Sequence, residues 1–402
     1  MTEYTILGAL GGIALTLALI RYFFHRSSNL IILFFQYFVS TLFLFSGVIK
    51  ANDPLGFSYK LNEYFEVFGT EWLIPFSLFL SFLVCVMEML LGFMLLIGAR
   101  VKLTLWLLLL MILFFASLNF YSGYYDKVRE CGCFGDAIKM TPWQEFRNNI
   151  GMMVMTIIML IKNSHIRSLL GRKWENVLLT LGAIKCIVFP LYTYNYLPIK
   201  DFRPYAIGKS IQEGMVLPPG AVKDSVVMVF IYEKDGKQIE MAYEDVMKGK
   251  ADSTYKYIDR KDKPIREGDK PAIHDFSITT ADGNDYTEQI LNYEGYYFFL
   301  ICYDLSKTNR DVFGKVNDFA KLCRQDSIPI ICLTSSADQI ESFKKATGTD
   351  IDFYLTDGTT LKTMIRSNPG LMLLKKGTVV DMWHYHSIPA YTDVKAKHFG
   401  KP

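Results

Sequence analysis

The sequence predicts an all-α bundle of about six transmembrane helices joined to a soluble α/β domain. Three observations carry that reading. Half of the 402 residues are apolar, and they crowd into the first half of the chain in runs of Leu, Phe, Ile and Met. Several of these runs reach the ~20 residues that a helix needs to cross a bilayer. The second half instead alternates short apolar runs with amphipathic stretches, at the lengths of strands and helices. A net charge of +3 with no Lys/Arg block excludes nucleic acid as a partner. Seven cysteines are too few and too scattered for a disulfide-stapled scaffold.

The apolar runs fall at residues 5–24, 30–48, 73–97, 103–121, 150–161 and 177–196. The first lacks a basic start and a small-residue cleavage site, and Arg21 and Arg26 follow it, so it reads as a retained helix. The fifth is short and extends back through Phe146. Between the second and third runs, Asp53-Pro54 marks a turn. Leu61, Tyr64, Phe65 and Phe68 then follow at helical spacing, an amphipathic segment for the bilayer interface.

Basic residues set the orientation. Arg21, His25 and Arg26 follow the first helix, Arg100 and Lys102 follow the third, and Lys162, Arg167, Arg172 and Lys173 follow the fifth. These connections alternate along the chain and predict one shared cytoplasmic side. The remaining loops mix signs, with Lys50 and Lys60 opposed by Asp53, Glu63, Glu66 and Glu71. The chain is thus expected in the bacterial inner membrane, with both termini and the soluble tail in the periplasm, where disulfides persist. Two ionisable residues lie within spans, Glu88 in the third helix and Lys185 in the sixth. Charges at that depth usually pair or mark a functional path, so a Glu88–Lys185 contact is expected, with a protonated Glu88 as the alternative.

The most distinctive stretch is the polar loop Glu130-Cys131-Gly132-Cys133-Phe134-Gly135-Asp136, followed by Thr141-Pro142-Trp143. Gly132 allows Cys131 and Cys133 to approach, and a disulfide between them would close a small, readily reduced ring. Lys127 and Arg129 are near enough in sequence to favour a thiolate, with Glu130 and Asp136 opposing. Two readings lead, ahead of metal binding or two reduced thiols with no role. The pair exchanges with a partner disulfide, or it is a static clip that pins the loop over the bundle while Trp143 and Phe134 pack at the interface.

These residues carry a resemblance. Ser46-Gly47, Lys50, Asp53-Pro54, Glu88 with Leu90-Leu91-Gly92, and the Cys-Gly-Cys-Phe-Gly loop resemble the DoxX/MauE family of four-helix membrane proteins. The similarity spans residues 28–165, leaving residues 1–27 as an added helix and residues 166–199 as a sixth. What the resemblance implies is envelope redox work, thiol–disulfide or quinone-linked, with quinone as the cofactor to consider. Cys131, Cys133 and Glu88 are then the candidate catalytic residues, and Lys50, Asp53, Pro54, Trp143, Lys185 and Pro369 structural or interface positions.

Residues 200–269 read as a β-rich connection, with a hairpin of residues 226–232 and 238–242. From residue 270, strands at 296–302, 328–333 and 352–355 alternate with helices at 312–322, 337–347 and 361–366. A hairpin of residues 371–374 and 378–383 closes the domain behind Asn368-Pro369-Gly370. That order, with a proline before the hairpin, resembles the thioredoxin fold in its TlpA/redoxin branch, where Pro369 takes the place of the cis-proline. The departure is at the active site. Leu305-Ser306-Lys307-Thr308 stands where the family has Cys-X-X-Cys, and neither Leu nor Thr supplies a thiolate. Cys302, Cys323 and Cys332 belong on buried faces. His384-Tyr385-His386 places two imidazoles on one face of a strand. A metal site there lacks an obvious third ligand, and surface histidines are the simpler reading.

The leading expectation is therefore a membrane-bound redox protein using Cys131 and Cys133. The thioredoxin-like tail, itself non-catalytic, would dock a periplasmic or membrane partner or cover the loop. The competing class is a scaffold that anchors an envelope complex, with the cysteines as a clip. A transporter would rest on Glu88 and Lys185 alone, and no inverted repeat supports it.

Overall fold

The computed structural model describes residues 3–24, 29–127, 132, 134–138, 140–168, 170–217, 220–221, 225–234, 237–252, 254–266 and 270–400. Helix α1 is Glu3–Phe24. Helix α2, Leu30–Asn52, starts where the Asn29 side chain accepts from the Ile31 and Ile32 amides. Asp53 both ends α2 and caps α3, Pro54–Val67, with Pro54 in its first turn where a missing N–H costs nothing. Helix α4, Ser77–Ile97, stops at Gly98 in the left-handed region, and α5 is Val101–Tyr125. A capping box of Thr141 and Gln144 starts α6, Pro142–Ile161. Helix α7, Arg172–Tyr196, completes the membrane part.

Among the described residues, five segments are long and apolar enough to cross a membrane: Tyr4–Phe24, Leu30–Asn52, Glu71–Ile97, Val101–Tyr125 and Arg172–Tyr196. Helix α6 begins at Pro142, well before the apolar run at residue 150, because the capping box nucleates it there. Glu145, Asn148 and Asn149 dilute its hydropathy, yet its 20 residues extend about 30 Å along α5. The basic connections converge at one end of the bundle. Arg21 Nη2 donates to the Arg167 carbonyl at 3.3 Å, and Arg100 Nη2 to Asn176 Oδ1 at 3.4 Å. The C-terminus of α2, the whole of α3 and the soluble tail meet at the opposite end.

Helices α2 and α4 approach closely because each presents a glycine to the backbone of the other. A Cβ on Gly47 would lie 2.9 Å from the Met89 amide nitrogen, and one on Gly92 2.9 Å from that of Leu44. Any larger residue at either position would force the helices apart.

Among the described residues the tail has two sheets. Strands β1 (Ser225–Lys234), β2 (Lys237–Ala242) and β3 (Lys256–Arg266) form an antiparallel sheet in the order β2-β1-β3. The five-stranded sheet uses β4 (Tyr296–Ile301), β5 (Ile330–Thr334), β6 (Asp352–Leu355), β7 (Gly370–Lys375) and β8 (Thr378–His384). Its order is β6-β5-β4-β7-β8, with β4, β5 and β6 parallel and the β7–β8 hairpin antiparallel. That arrangement, with a cis Asn368–Pro369 bond ahead of β7, is thioredoxin-like.

Both faces of this sheet are covered, which is why β4 reads as an unbroken apolar run. Phe298 and Leu300 pack with Val316 and Phe319 of helix Phe313–Gln325. Phe299 and Ile301, pointing the other way, pack with Leu361, Met364 and Ile211. Tyr205 and Ile211 lie in this second core, so it draws on residues well upstream of 270.

Candidate thiol-loop site and the ion pair beneath it

Lys50 lies two residues beyond the apolar run of α2, still within the helix, which continues to Asn52. Its ammonium reaches both Glu88 carboxylate oxygens at 2.9 Å and the Ser46 hydroxyl at 2.7 Å, and Ser46 donates to Glu88 at 3.1 Å. Both charged side chains are almost wholly buried, 1% and 3% exposed. The Phe57 and Phe115 rings flank the ammonium at 5.7 and 5.3 Å. The expected Glu88–Lys185 contact is therefore corrected: Glu88 belongs to Lys50, and Lys185 lies exposed on the outer side of α7. Beside the pair is a cavity of about 40 Å³ that Ser46, Glu145, Asn148, Asn149 and Phe134 help to line. Glu145 is buried and accepts from Asn119 Nδ2 at 3.4 Å. No sequence spacing marked this second carboxylate.

A larger cavity, about 140 Å³, lies between the bundle and the tail. Lys50 walls it from below, Asp53 and Lys60 from α2 and α3, Arg203 and Arg366 from the tail, and Gly132 and Asp136 from the thiol loop. Lys50 thus borders both cavities. Cys131 and Cys133, like Arg129 and Glu130, lie outside the described residues. Gly132, between the two cysteines, has φ +75°, and a Cβ there would come within 3.0 Å of Lys60 Cγ. The loop needs glycine at this point.

Arg366 of the tail joins three parts of this interface. Its Nε lies 2.9 Å from each Asp53 oxygen, and its Nη2 is 4.0 Å from Asp136 of the thiol loop. Its guanidinium also lies 5.5 Å from the centroid of the Tyr59 ring, which Lys362 approaches at 5.3 Å. Burial alone would raise the Asp53 carboxyl. The Arg366 and Arg203 guanidiniums and the Gly56 amide outweigh it and hold the group below its ordinary range. Tyr59 donates to the Tyr303 hydroxyl at 3.4 Å, and burial pushes both phenols up. Asn52 closes the rim, donating to the Lys200 carbonyl at 2.7 Å and accepting its amide at 3.1 Å.

Arg366 and Tyr303 flank the part of the tail where a thioredoxin keeps its chemistry. The cis Asn368–Pro369 bond follows Arg366 closely, and Asn368 ties this turn to the segment after β4. It donates to the Asp304 carbonyl at 2.8 Å and accepts from Thr308 at 2.9 Å. Leu305, where a nucleophilic thiol would be sought, is fully buried. Cys302, Cys323 and Cys332 are buried as well. Burial pushes the Cys323 thiol up to about 12 and raises that of Cys332 well above its usual value. None of these thiols is poised to attack.

The two histidines are not a same-face pair on a strand. Strand β8 ends at His384, and residues Tyr385–Ser387 form a 3₁₀ turn. His384 is buried, accepts the His386 amide at 3.2 Å, and is held down to about 4 by burial and the neighbouring His386. His386 Nδ1 lies 3.2 Å from the Asn195 carbonyl at the end of α7. Among the described residues no group of three metal-ligating side chains forms. Trp143 is half-exposed at the start of α6 and packs edge-on against Phe120 and Phe146. Pro54 accepts the Ser81 hydroxyl at 2.6 Å, fastening α3 to α4.

The residues that converge here, Ser46, Gly47, Lys50, Asp53, Glu88 and Gly92, come from one stretch of the chain. Residues 28–162 match the MauE family, whose model is described as methylamine utilisation protein MauE. The MauE-like part therefore contains α2 to α6, the ion pair and the thiol loop. Residues 226–267 match a second model, described only as a domain of unknown function (DUF8463), which covers the three-stranded sheet. No curated protein matches the chain. Two solved structures are similar to the tail. One is a candidate protein disulfide isomerase from Bacteroides thetaiotaomicron, 18% identical, covering 31% of this chain and 82% of its own, with TM-score 0.25. The other is StoA from Bacillus subtilis, 15% identical, covering 30% and 93%, with TM-score 0.24.

Proposed function

We propose that the protein is a membrane-bound redox protein whose working thiols are Cys131 and Cys133, with the thioredoxin-like tail as their cover. The observation that carries this reading is the shared cavity. The residue between the two cysteines faces Lys60 and shares a wall with Arg366, beside the cis-proline turn of a tail that has no thiol there. The tail supplies a cation and a shaped surface, and the membrane loop supplies the sulfur. In sequence Lys127 and Arg129 favour the thiolate form and Glu130 and Asp136 oppose it, while the cavity wall adds Lys60 and Arg366, paired with Glu63 and Asp53.

The exchange balances without a further reagent. A Cys131 thiolate attacks one sulfur of a partner disulfide, the partner's S–S bond breaks, and its second sulfur leaves as a thiolate. Cys133 then attacks the mixed disulfide, closing the Cys131–Cys133 ring and releasing the partner as a dithiol. A quinone is the other acceptor for the same two electrons and two protons. In that case Glu88, reached through Lys50 from the loop cavity, is the proton-handling group. The sides of the membrane follow from the basic end around Arg21, Arg100 and Arg167, which we assign to the cytoplasm, leaving the loop and tail in the periplasm of an inner membrane.

The scaffold reading has one observation in its favour, the Asp53–Arg366 contact that fastens the tail to the bundle whatever the cysteines do. Replacing both cysteines (Cys131→Ser with Cys133→Ser) separates the two. The redox reading predicts failure to complement a deletion strain, with the melting temperature of the purified protein unchanged. Full complementation with a lowered melting temperature would instead make the cysteines a clip.

A further inference from the structure

Helix α7 carries a lysine where a membrane helix avoids charge. Lys185 sits at the middle of the 25-residue helix, roughly half of the ~30 Å hydrocarbon core from either surface. Its methylene stem is too short to carry the ammonium to either interface. The side chain is exposed, on a face where Leu181, Ile184 and Val188 are also about half exposed. It borders a groove of about 890 Å³ between α2, α4 and α7, walled by Leu44, Val48, Met89 and Phe93. The floor is formed where Gly182 lets the Phe93 ring approach α7. Glu88, the only carboxylate of the described spans away from a helix end, is engaged by Lys50. No carboxylate of the described residues lies within ion-pair distance of Lys185.

We propose that this groove is the docking site for a transmembrane helix of a partner protein that carries an Asp or Glu at mid-depth, opposite Lys185. Charge complementarity selects this occupant. A lipid phosphate stays at the bilayer surface, half the core away from Lys185. A second copy of this chain brings no available mid-span carboxylate, because Glu88 is buried and paired. A purely apolar helix would leave the ammonium unpaired in hydrocarbon. The groove lies on the outer side of α2 and α4, away from the thiol-loop cavity, so a helix docked there would leave that cavity open.

The full chain, reconstituted in phosphatidylcholine/phosphatidylglycerol vesicles, is titrated by energy transfer with synthetic Leu/Ala helices of about 23 residues that differ only in a central Glu or Leu. The Glu helix is expected to associate about tenfold more tightly than the Leu helix. That preference should vanish in Lys185→Met and persist in Lys185→Arg. Filling the groove with Val188→Trp should weaken binding of the Glu helix while leaving the ion pair beneath intact. Equal association of the two helices, or a preference that survives Lys185→Met, overturns the proposal.

Discussion

Replacing Glu88 by leucine, with Lys50 left in place, is expected to destabilise the protein by about 3–5 kcal/mol, the cost of orphaning a buried charge. Lys50→Met should cost a similar amount. The double variant Lys50→Met with Glu88→Leu should recover most of the loss, because apolar side chains of similar volume replace a buried pair without leaving a charge in the bundle. Lys185→Met should not destabilise the protein, because it removes a mid-span charge that no carboxylate of the described residues meets. Unfolding of the purified protein in detergent reads all four. Near-additive single effects, or a Lys185 variant as damaging as Lys50→Met, would contradict the observed pairing. The partly buried Ser46 hydroxyl adds to the contrast, since it bridges both partners and loses one contact when either goes.

Arg366→Ala should release the tail from the bundle. It removes the Asp53 ion pair and the guanidinium against Tyr59, and leaves Asp53 largely buried. Asp53 keeps some access to solvent, 21% exposed, so the expected cost is roughly 3 kcal/mol, the low end for a broken buried pair. Hydrogen exchange should accelerate in α3 and in residues 366–369, while strands β4 and β5 keep their protection. The pH dependence has a definite sign. The Asp53 carboxyl is held below its ordinary value in the folded protein, so the unfolded chain takes up the proton first as pH falls. The stabilisation is present at neutral pH, down to about pH 4, and is lost as pH drops further through the folded value. In Arg366→Ala this acid-labile component should shrink, with Arg203 and the Gly56 amide left to favour the carboxylate. Unaltered exchange in α3 would show that the interface does not depend on Arg366.

Local elements of this chain were legible because their signals are local. The apolar run of β4 and the amphipathic pattern of helix Phe313–Gln325 announce a covered sheet and its helix. Asn368-Pro369 announces the turn. The start of α6 was misjudged because hydropathy falls to the polar residues that the Thr141–Gln144 box then builds into helix. The ion pair was missed for a physical reason. Lys50 stands at the end of an apolar run and reads as an interfacial residue, but α2 continues past it to Asn52 and carries it inside. Lys185, at mid-span, looked like the natural partner of Glu88, yet it lies on the wrong face of α7. Nothing local could reveal the contact of Asp53 with Arg366, which lies 313 residues further on. The cations nearest the thiol loop likewise come from α3 and the tail, not from its sequence neighbours alone.

The central claim, that the Cys131–Cys133 pair performs thiol exchange, is tested most directly by Cys133→Ser in living cells, trapped with acid and resolved without reductant. The account predicts that Cys131 is captured as a mixed disulfide with an envelope protein, released by dithiothreitol and absent from the double cysteine variant. No captured adduct, together with a wild-type pair that stays in one redox state between dithiothreitol and diamide treatment, would contradict it.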